Sequence, residues 1–431
     1  MMIDEKSKRL VAGKKLLVLG AGPNEITLVR RAQELGCTVY VTDNNADRSL
    51  SPCKEVADVA WDISWSDTDA LEAACREAGI DGVTAGYSEF RIENVIKLTE
   101  RLGLPCYCTM EQLDVTRDKV KFKQACREAG VPTVREYPSP EMVDSFPVIV
   151  KPVDRAGSIG VGIAGDREEL GGVYAEAMEA SVSKHVIIED YICDGSKFDS
   201  YYMVLDGEIN LVSSDDVIFA KGRGERDIVQ SAWLFPSRHH NAYVEKIDPA
   251  VRRMISNLGI RNGYLFVSAF ARESGDFVVF ETGFRLCGGH LYNYFERKGL
   301  PNTLDLFILH ALTGSVSELG PVVDLDSGMR ELTLNFYAKA GRVALVSGFD
   351  EMAIVPECCA VVCDARVGQV CRDDKAILPK LGLLGFCSDD PVTLKRRAEE
   401  CYSVVRVLGD EGEDLIYDRI DPSAISTWWN G

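Results

Sequence analysis

The chain has 431 residues, 46% of them hydrophobic, and 67 acidic residues outnumber 48 basic ones to give a net charge of -19. This length exceeds one typical hydrophobic core and favours about three domains of ~100 to 200 residues. An acidic balance of this size disfavours a broad basic surface, so we exclude nucleic acid as a partner.

Apolar stretches are short throughout the chain. The longest runs, such as residues 146–150, fall far below the ~20 residues that a membrane span needs, and the amino terminus carries no apolar signal region. We therefore predict a cytoplasmic protein with no membrane partner.

The 14 cysteines mostly stand singly inside apolar patterns, as buried thiols do in a reducing compartment. Two tighter groups lack the paired C-x2-C spacing of a zinc site. They are Cys106 with Cys108, and Cys358 and Cys359 with Cys363. We predict reduced thiols and no structural zinc.

The beginning of the chain alternates between strand and helix patterns. Residues 14–43 run from an apolar strand through a glycine turn and a helix to a second strand that ends at Asp43. Further strands near 56–60 and 82–86 and helices near 67–78 and 89–102 continue the alternation. The pattern predicts an open parallel sheet whose ligands lie at the strand ends.

The glycine turn GAGPNE has only two of the three glycines of a dinucleotide-binding fingerprint. Asp43 suits a ribose hydroxyl, but an acidic residue at the end of a strand is also an ordinary turn residue. An NAD-dependent oxidoreductase is therefore the least favoured interpretation, because nothing downstream resembles a hydride-transfer site.

A different pattern begins near residue 116, where Asp118 is a predicted N-cap and Gly130 ends an amphipathic helix. Strands dominate residues 146–290, with hairpin turns at Asp206-Gly207 and Ser274-Gly275-Asp276 that favour antiparallel sheets. Short strands follow after about residue 320, and one clear helix is predicted over residues 390–409.

The segment FPVIVKPVDRAGSIGVG, residues 146–162, carries the strongest chemical pattern: Lys151 ends an apolar strand and a glycine-rich turn follows. A lysine at a buried position needs a partner, and a bound phosphate supplies one, while backbone N–H groups of the turn approach the same anion. Arg155 adds positive charge. The alternative is a surface hairpin whose lysine ammonium stays in water.

Residues 185–192, HVIIEDYI, form an apolar strand whose backbone N–H and C=O groups suit the edge of an adenine ring. An ordinary sheet strand is the alternative. Lys119, the Lys151 segment and EDYICDG at 189–195 occur in the order found in ATP-grasp enzymes, and the chain resembles that family.

The resemblance implies two lysines on the nucleotide phosphates, a glycine loop over them and an adenine hinge. The residues that it assigns to ATP are Lys119, Lys151, Arg155, Gly157, Ser158, Gly160, Glu189, Tyr191, Ile192 and Phe280.

The resemblance covers nearly the whole chain and implies a fold of mixed α/β and α+β class. It comprises a Rossmann-like pre-ATP-grasp domain with a parallel sheet over 1–115 and an ATP-grasp domain with antiparallel sheets over 116–320. The lid of the second domain spans about 133–192, and a small α+β closing domain spans 321–431.

The family's metal-binding strand ends in a pattern similar to Glu-x-Asn-x-Arg, with an earlier Glu on the partner strand. Here only Glu281 and Arg285 match, because Gly283 and Ser268 stand at the other two positions. Glu281 is the predicted ligand of Mg²⁺, with Mn²⁺ as an alternative, and Arg285 the predicted catalytic residue. The ending E-x-G-F-R also resembles a subgroup related to carbamoyl-phosphate synthase and biotin carboxylase.

Five residues near the predicted strand ends are candidates for substrate contact: Gly22, Glu89, Gly288, Gly289 and His290. His290 suits proton transfer near neutral pH, although a structural histidine is the alternative. Tyr87 and Ser88 precede Glu89, and Ser88 is equally a helix N-cap.

The predicted reaction is transfer of a phosphoryl group from ATP to a carboxylate, followed by attack of an amine or, less favoured, a thiol. The predicted partners are a small-molecule carboxylate and nucleophile, and a homodimer is the assembly considered. Two rivals remain: phosphorylation of bicarbonate, as in a carboxylase, and a nucleotide-binding regulatory module with reduced catalysis.

Overall fold

The structure is a computed structural model that describes residues 5–155, 159–222, 228–323, 328–372 and 378–429. Across these ranges, no helix combines the length and the apolar character that crossing a bilayer requires.

The amino-terminal part is a four-stranded parallel sheet in the order β3-β2-β1-β4. Its strands are β1 (Lys15–Leu19), β2 (Thr38–Thr42), β3 (Val59–Trp61) and β4 (Gly82–Thr84). Its helices are α1 (Glu5–Val11), α2 (Ile26–Glu34), α3 (Cys53–Val56), α4 (Thr68–Ala78) and α5 (Glu89–Leu102). The predicted parallel sheet is confirmed.

Two helices, α6 (Met110–Arg117) and α7 (Lys119–Ala129), lead out of this sheet. Asp118 caps α7 as predicted, because its carboxylate accepts from two backbone N–H groups at 2.9 and 3.0 Å, and Gly130 ends the helix with a φ of +75°. This cap fixes Lys119 at the first residue of α7.

A four-stranded antiparallel sheet with the order β5-β8-β6-β7 follows, and we refer to it as the lid sheet. Its strands are β5 (Glu136–Tyr137), β6 (Val148–Pro152), β7 (Gly162–Ala164) and β8 (Val186–Asp190). Helix α8 (Arg167–Ala180) packs on it.

The largest element is an eight-stranded sheet with the order β13-β12-β9-β10-β11-β14-β18-β16. Its strands are β9 (Gly195–Leu205), β10 (Glu208–Phe219), β11 (Gln230–Phe235), β12 (Gly263–Arg272), β13 (Phe277–Gly283), β14 (Arg330–Tyr337), β16 (Cys358–Cys363) and β18 (Lys380–Ser388). Both predicted hairpins occur, and all pairings are antiparallel. The mixed fold class is thereby confirmed.

A three-stranded sheet and six helices complete the described elements. The strands are β15 (Gly341–Ser347), β17 (Val370–Cys371) and β19 (Arg406–Gly409). The helices are α9 (His240–Lys246), α10 (Asp248–Asn257), α11 (Tyr292–Arg297), α12 (Thr303–Thr313), α13 (Phe349–Ala353) and α14 (Pro391–Val404).

Helix α12 connects the parallel sheet to the eight-stranded sheet. Every residue from Thr303 to Leu312 is buried, and the helix contacts α1, α2, β1, β4 and β12. A helix that is apolar all round must be enclosed on every side, which explains this central position. Strands β14, β16 and β18, within residues 330–388, belong to the same eight-stranded sheet. The division of the chain into three domains stays a prediction.

Candidate active site

A cavity opens where α5 and α7, the connection after β6 and strand β13 meet. Its lining residues are Glu89, Phe90, Thr116, Arg117, Lys119, Phe122, Asp154, Arg155, Phe280, Glu281 and Thr282. Five of them are site residues predicted from the sequence: Glu89, Lys119, Arg155, Phe280 and Glu281. The cavity therefore joins a predicted phosphate-binding lysine to the predicted metal ligand.

Lys151 lies beside this cavity on strand β6, with a side chain that is 14% exposed. Its ammonium is 2.7 Å from Oε2 of Glu189 and 5.3 Å from the centre of the Phe280 ring. The partner of Lys151 within the protein is thus a carboxylate, whereas the sequence suggested only a phosphate. Glu189 holds the ammonium at the cavity edge.

Glu189 is almost completely buried on strand β8 and also pairs with Lys123 through Oε1. Burial opposes ionisation of Glu189, but the ammonium groups of Lys151 and Lys123 lower its pKa below the usual value. Lys123 is fully buried on α7, 3.2 Å from Oε1 of Glu136. Lys123 was not among the residues predicted from the sequence, although it lies one helical turn after Lys119.

The predicted adenine hinge follows directly at the end of β8. The backbone N–H of Asp190 donates to the carbonyl of Arg135 at 3.1 Å, and that of Tyr191 donates to the carbonyl of Pro147 at 3.0 Å. Tyr191 and Ile192 are half-buried. The amide of Tyr191 is engaged within the protein, so a base must use other groups of this segment.

Lys119 enters the cavity from the start of α7, and its ammonium donates to the carbonyl of Arg155 at 2.9 Å. Burial lowers the pKa of Lys119, the carboxylate of Glu281 opposes that change, and the Lys151 ammonium adds to it. The Arg155 guanidinium donates to the carbonyl of Ala180 at 2.8 Å, so it is anchored to the end of α8.

The glycine loop is described only in part, since Gly157 and Ser158 lie outside the described residues. Gly160 has a φ of +73°, and a Cβ there would come within 2.3 Å of Cβ of Ala180. A side chain at this position is excluded by both conformation and space.

Glu281 is exposed and follows a bulge that places the Phe280 ring against Phe270, with ring centres 5.0 Å apart. Ser268 is directly opposite Glu281 and is buried. Gly283 is directly opposite Phe266, whose ring would lie 2.4 Å from a Cβ at that position. Phe266 therefore excludes an asparagine at position 283.

A row of polar residues continues across the sheet from Glu281. Ser268 is opposite Asp199 on β9, and Asp199 is opposite Asp215 on β10, so all four share one face. Lys197 pairs with Asp199 at 2.7 Å, while Oδ1 of Asp199 is buried without a hydrogen-bond partner. Asp199 thus presents a second carboxylate oxygen on the same face as Glu281, one strand beyond Ser268.

Arg285 follows β13, and its guanidinium pairs with the carboxylate of Glu89 at the start of α5. It also donates to the carbonyl of Leu286 at 3.0 Å and lies 5.2 Å from the centre of the Phe266 ring. Glu89 lines the cavity, so this ion pair brings Arg285 to the cavity edge.

The other candidates for substrate contact lie toward the parallel sheet, outside the cavity lining. Gly22 precedes a short 3-10 helix, and Gly288 is exposed. A Cβ added at Gly289 would lie 3.2 Å from the Trp233 ring. Ser88 occupies the N-cap position of α5 without a side-chain hydrogen bond.

His290 is buried with both ring nitrogens occupied, by the Tyr87 hydroxyl at 3.2 Å and by Oδ1 of Asn24 at 3.0 Å. Burial, together with the nearby Lys380 ammonium, lowers the pKa of His290 to about 3. This geometry favours the structural alternative over acid-base catalysis near neutral pH.

His290 should make the protein sensitive to acid. An unfolded histidine titrates near ~6.5, so below that pH the unfolded chain binds a proton that folded His290 does not. Stability present above pH 6.5 is then lost on acidification, by about 2 kcal/mol at pH 5. His290→Asn, which tolerates the φ of +56°, should reduce the difference between urea unfolding at pH 7 and pH 5. An equal difference in the variant contradicts the assignment.

Comparison with protein families agrees with this geometry. Residues 144–292 match the family model described as "ATP-grasp domain". These residues hold Lys151, Glu189, Phe280, Glu281 and Arg285. This segment of the chain is similar to an ATP-grasp domain.

Two curated relatives each match less than half of the chain. The chain is 28% identical over 165 residues to the carbamoyl phosphate synthase large chain, N-terminal section, of Methanopyrus kandleri, a match that covers 37% of this chain and 28% of the relative. It is 29% identical over 178 residues to the D-alanine–D-alanine ligase of Fusobacterium nucleatum, covering 39% and 56% respectively. The matches thus span between about a quarter and a half of each relative.

Solved structures match over a greater length. The L-amino acid ligase from Bacillus licheniformis has a TM-score of 0.73 at 18% identity, with 93% of this chain and 99% of that chain covered. The biotin carboxylase domain of the Hydrogenobacter thermophilus 2-oxoglutarate carboxylase, in complex with MgADP, ADP and bicarbonate, has a TM-score of 0.72 at 17% identity. That match covers 92% and 91%, and both likenesses show a shared fold.

Proposed function

We propose that this chain is an ATP-dependent ligase that converts a carboxylate into an acyl phosphate and joins it to an amine, with a thiol as the less favoured nucleophile. The observation that carries the proposal is the single cavity edge that presents Lys119, Lys151 and Glu281 around the Phe280 ring. Two cations suit the phosphates of a nucleoside triphosphate, a carboxylate suits its metal ion, and an aromatic ring suits its base.

ATP in this site would place its base against the segment after β8 and its phosphates between Lys119 and Lys151. Glu189 holds the Lys151 ammonium in position, so little ordering of that side chain remains when the anion binds. Arg155 contributes through its carbonyl, which orients Lys119, while its own guanidinium is anchored at the end of α8.

The residues present fit Mg²⁺, although two of the family's usual ligands are missing. Glu281 offers an exposed carboxylate, and Asp199 offers a buried, unpartnered oxygen on the same face across Ser268. Mg²⁺ accepts a small number of carboxylates together with phosphates and water. A bound ion supplies charge neutralisation at the transferring phosphoryl group.

Arg285 is a further cation at the cavity edge, and Glu89 fixes its orientation. Its planar guanidinium suits the oxygens on which negative charge develops during transfer. His290 takes no part in this scheme, since both of its nitrogens are used within the protein.

Replacing Glu281 by glutamine should raise the magnesium concentration required for half-maximal turnover, because it removes the exposed carboxylate of the proposed metal site. The control is Glu273→Gln, in the exposed turn between β12 and β13. A magnesium titration of ADP release measures the effect. Identical titrations for Glu281→Gln and wild type would place the metal ligands elsewhere.

A nucleotide-binding regulatory module is the second candidate, and the Phe266 ring favours it by excluding a metal-binding side chain at position 283. The two functions are separated by incubating the protein with Mg-ATP and pooled amino acids and scoring ADP and new adducts by mass spectrometry. A ligase yields both products, and a bicarbonate-dependent release of ADP supports the carboxylase alternative. If the protein binds ATP but releases no ADP with any of the pooled amino acids, the result supports the regulatory module.

A further inference from the structure

Three neighbouring strands of the eight-stranded sheet each contribute one metal-ligating side chain to the same buried place. Glu331 on β14 is directly opposite Cys387 on β18, and Cys359 lies on β16 at a bulge beside the partners of β18. One oxygen of Glu331 and the two sulfur atoms all lie within 4.8 Å of one another.

The spacing of these atoms matches tetrahedral coordination. Sγ of Cys359 is 3.6 Å from Oε1 of Glu331. Zinc bonds of ~2.3 Å to sulfur and ~2.1 Å to oxygen at a tetrahedral angle separate the two ligand atoms by about 3.6 Å. The Glu331 oxygen and the Cys359 sulfur are therefore spaced as two ligands of one zinc ion.

An unsatisfied carboxylate oxygen is the second and independent observation. Glu331 has no exposed surface, Thr333 donates to its Oε1 at 3.0 Å, and its Oε2 is buried without a hydrogen-bond partner. A buried polar atom without a partner carries a desolvation penalty of ~1 to 3 kcal/mol, which a cation coordinated by both oxygens of Glu331 would remove.

We propose that Glu331, Cys359 and Cys387 form a site for Zn²⁺ that joins strands β14, β18 and β16. Two thiolates with one carboxylate favour zinc over the magnesium that serves a nucleotide. Binding releases to solvent the two thiol protons and any proton carried by the Glu331 carboxyl, and it leaves one coordination position for water or another small ligand. The site could not be predicted from the sequence, because its three ligands come from three different strands. The spacing of residues along one segment gives no information about such a site.

The site would reinforce the part of the eight-stranded sheet that contacts helix α11. Asn293 on α11 donates to the carbonyl of Cys359 at 2.6 Å, and α11 begins two residues after His290. Zinc here is structural and stands apart from the proposed nucleotide cavity, so its test does not depend on the ligase proposal.

The test begins with elemental analysis of the full chain purified without added metal or chelator. We expect about one zinc per chain, and a tenfold or greater loss of zinc in Cys359→Ser and Cys387→Ser. Cys75→Ser, a change at another buried thiol, should keep the zinc. Glu331→Gln preserves the size of the side chain and should weaken zinc affinity at least tenfold in a competition titration with a chromogenic chelator.

Two measurements on the wild-type protein keep the test decisive if a variant does not fold. Replacement of the metal by Co²⁺ should give a thiolate-to-cobalt charge-transfer band, and removal of the metal should lower the thermal midpoint. Metal-free protein that neither binds Zn²⁺ nor gains stability from it would overturn the proposal. A Cys359–Cys387 disulfide found by peptide mass spectrometry would overturn it as well.

Discussion

Arg285→Ala is expected to lower coupled product formation at least a hundredfold while Mg-ATP affinity stays nearly unchanged. Loss of one preorganised donor at a developing oxyanion typically costs ~10² to 10³ in turnover. In the proposed site Lys119 and Lys151 hold the ground-state nucleotide, and Arg285 contacts Glu89 and Leu286 rather than either lysine. The defect should therefore appear in turnover and not in binding.

Two neighbouring variants separate charge from geometry at this position. Arg285→Lys should restore activity only in part, since an ammonium lacks the planar fork that grips two oxygens. Glu89→Gln retains Arg285 but weakens the ion pair that orients it, so an intermediate loss is expected. Calorimetry with Mg-ATP and separate assays of ADP and product give the readouts. A variant that releases ADP normally without product would show that Arg285 acts after phosphoryl transfer.

Local patterns in the sequence were sufficient to predict the fold class. The alternation of strand and helix at the beginning of the chain and the Asp118 cap are recorded in consecutive residues, so they could be read directly. The end of the chain was harder: the helix expected within 390–409 stops at Val404, and strand β19 begins at Arg406. A helical pattern that runs into a short apolar strand leaves no sharp boundary in the sequence.

The cavity was predictable where the residues belong to ordered motifs, as Lys119, Lys151 and Glu281 do. Contacts between distant segments were not predictable from one sequence. Phe266 stands 17 residues before Gly283, yet its ring accounts for the absence of a side chain there. The cross-strand row that reaches Asp199 likewise depends on strand order and register, which local periodicity does not specify.

Lys151 and Lys123 both pair with the carboxylate of Glu189. We expect mutation of Lys151 to weaken ATP binding and mutation of Lys123 to lower stability. Lys151 is 14% exposed at the cavity edge, whereas Lys123 is completely buried. Lys151→Ala should weaken Mg-ATP binding more than tenfold, because a lysine paired with a phosphate in a closed site contributes at least ~1.4 kcal/mol. Glu189 keeps Lys123 as a partner, so the folded state tolerates this change.

Lys123→Met should produce the opposite pattern. Removal of one member of a buried ion pair costs ~3 to 5 kcal/mol, and the residual pairing of Glu189 with Lys151 places the expected loss of unfolding free energy near the lower figure. Its effect on ATP affinity should be small at a temperature where the variant is folded, since Lys123 is completely buried and its ammonium is occupied by Glu189 and Glu136. Urea unfolding and calorimetry with ATP and NAD, applied to both variants, measure the two effects. Equal ATP binding by wild type and Lys151→Ala, or stronger binding of NAD than of ATP, would refute the assignment of this cavity to ATP.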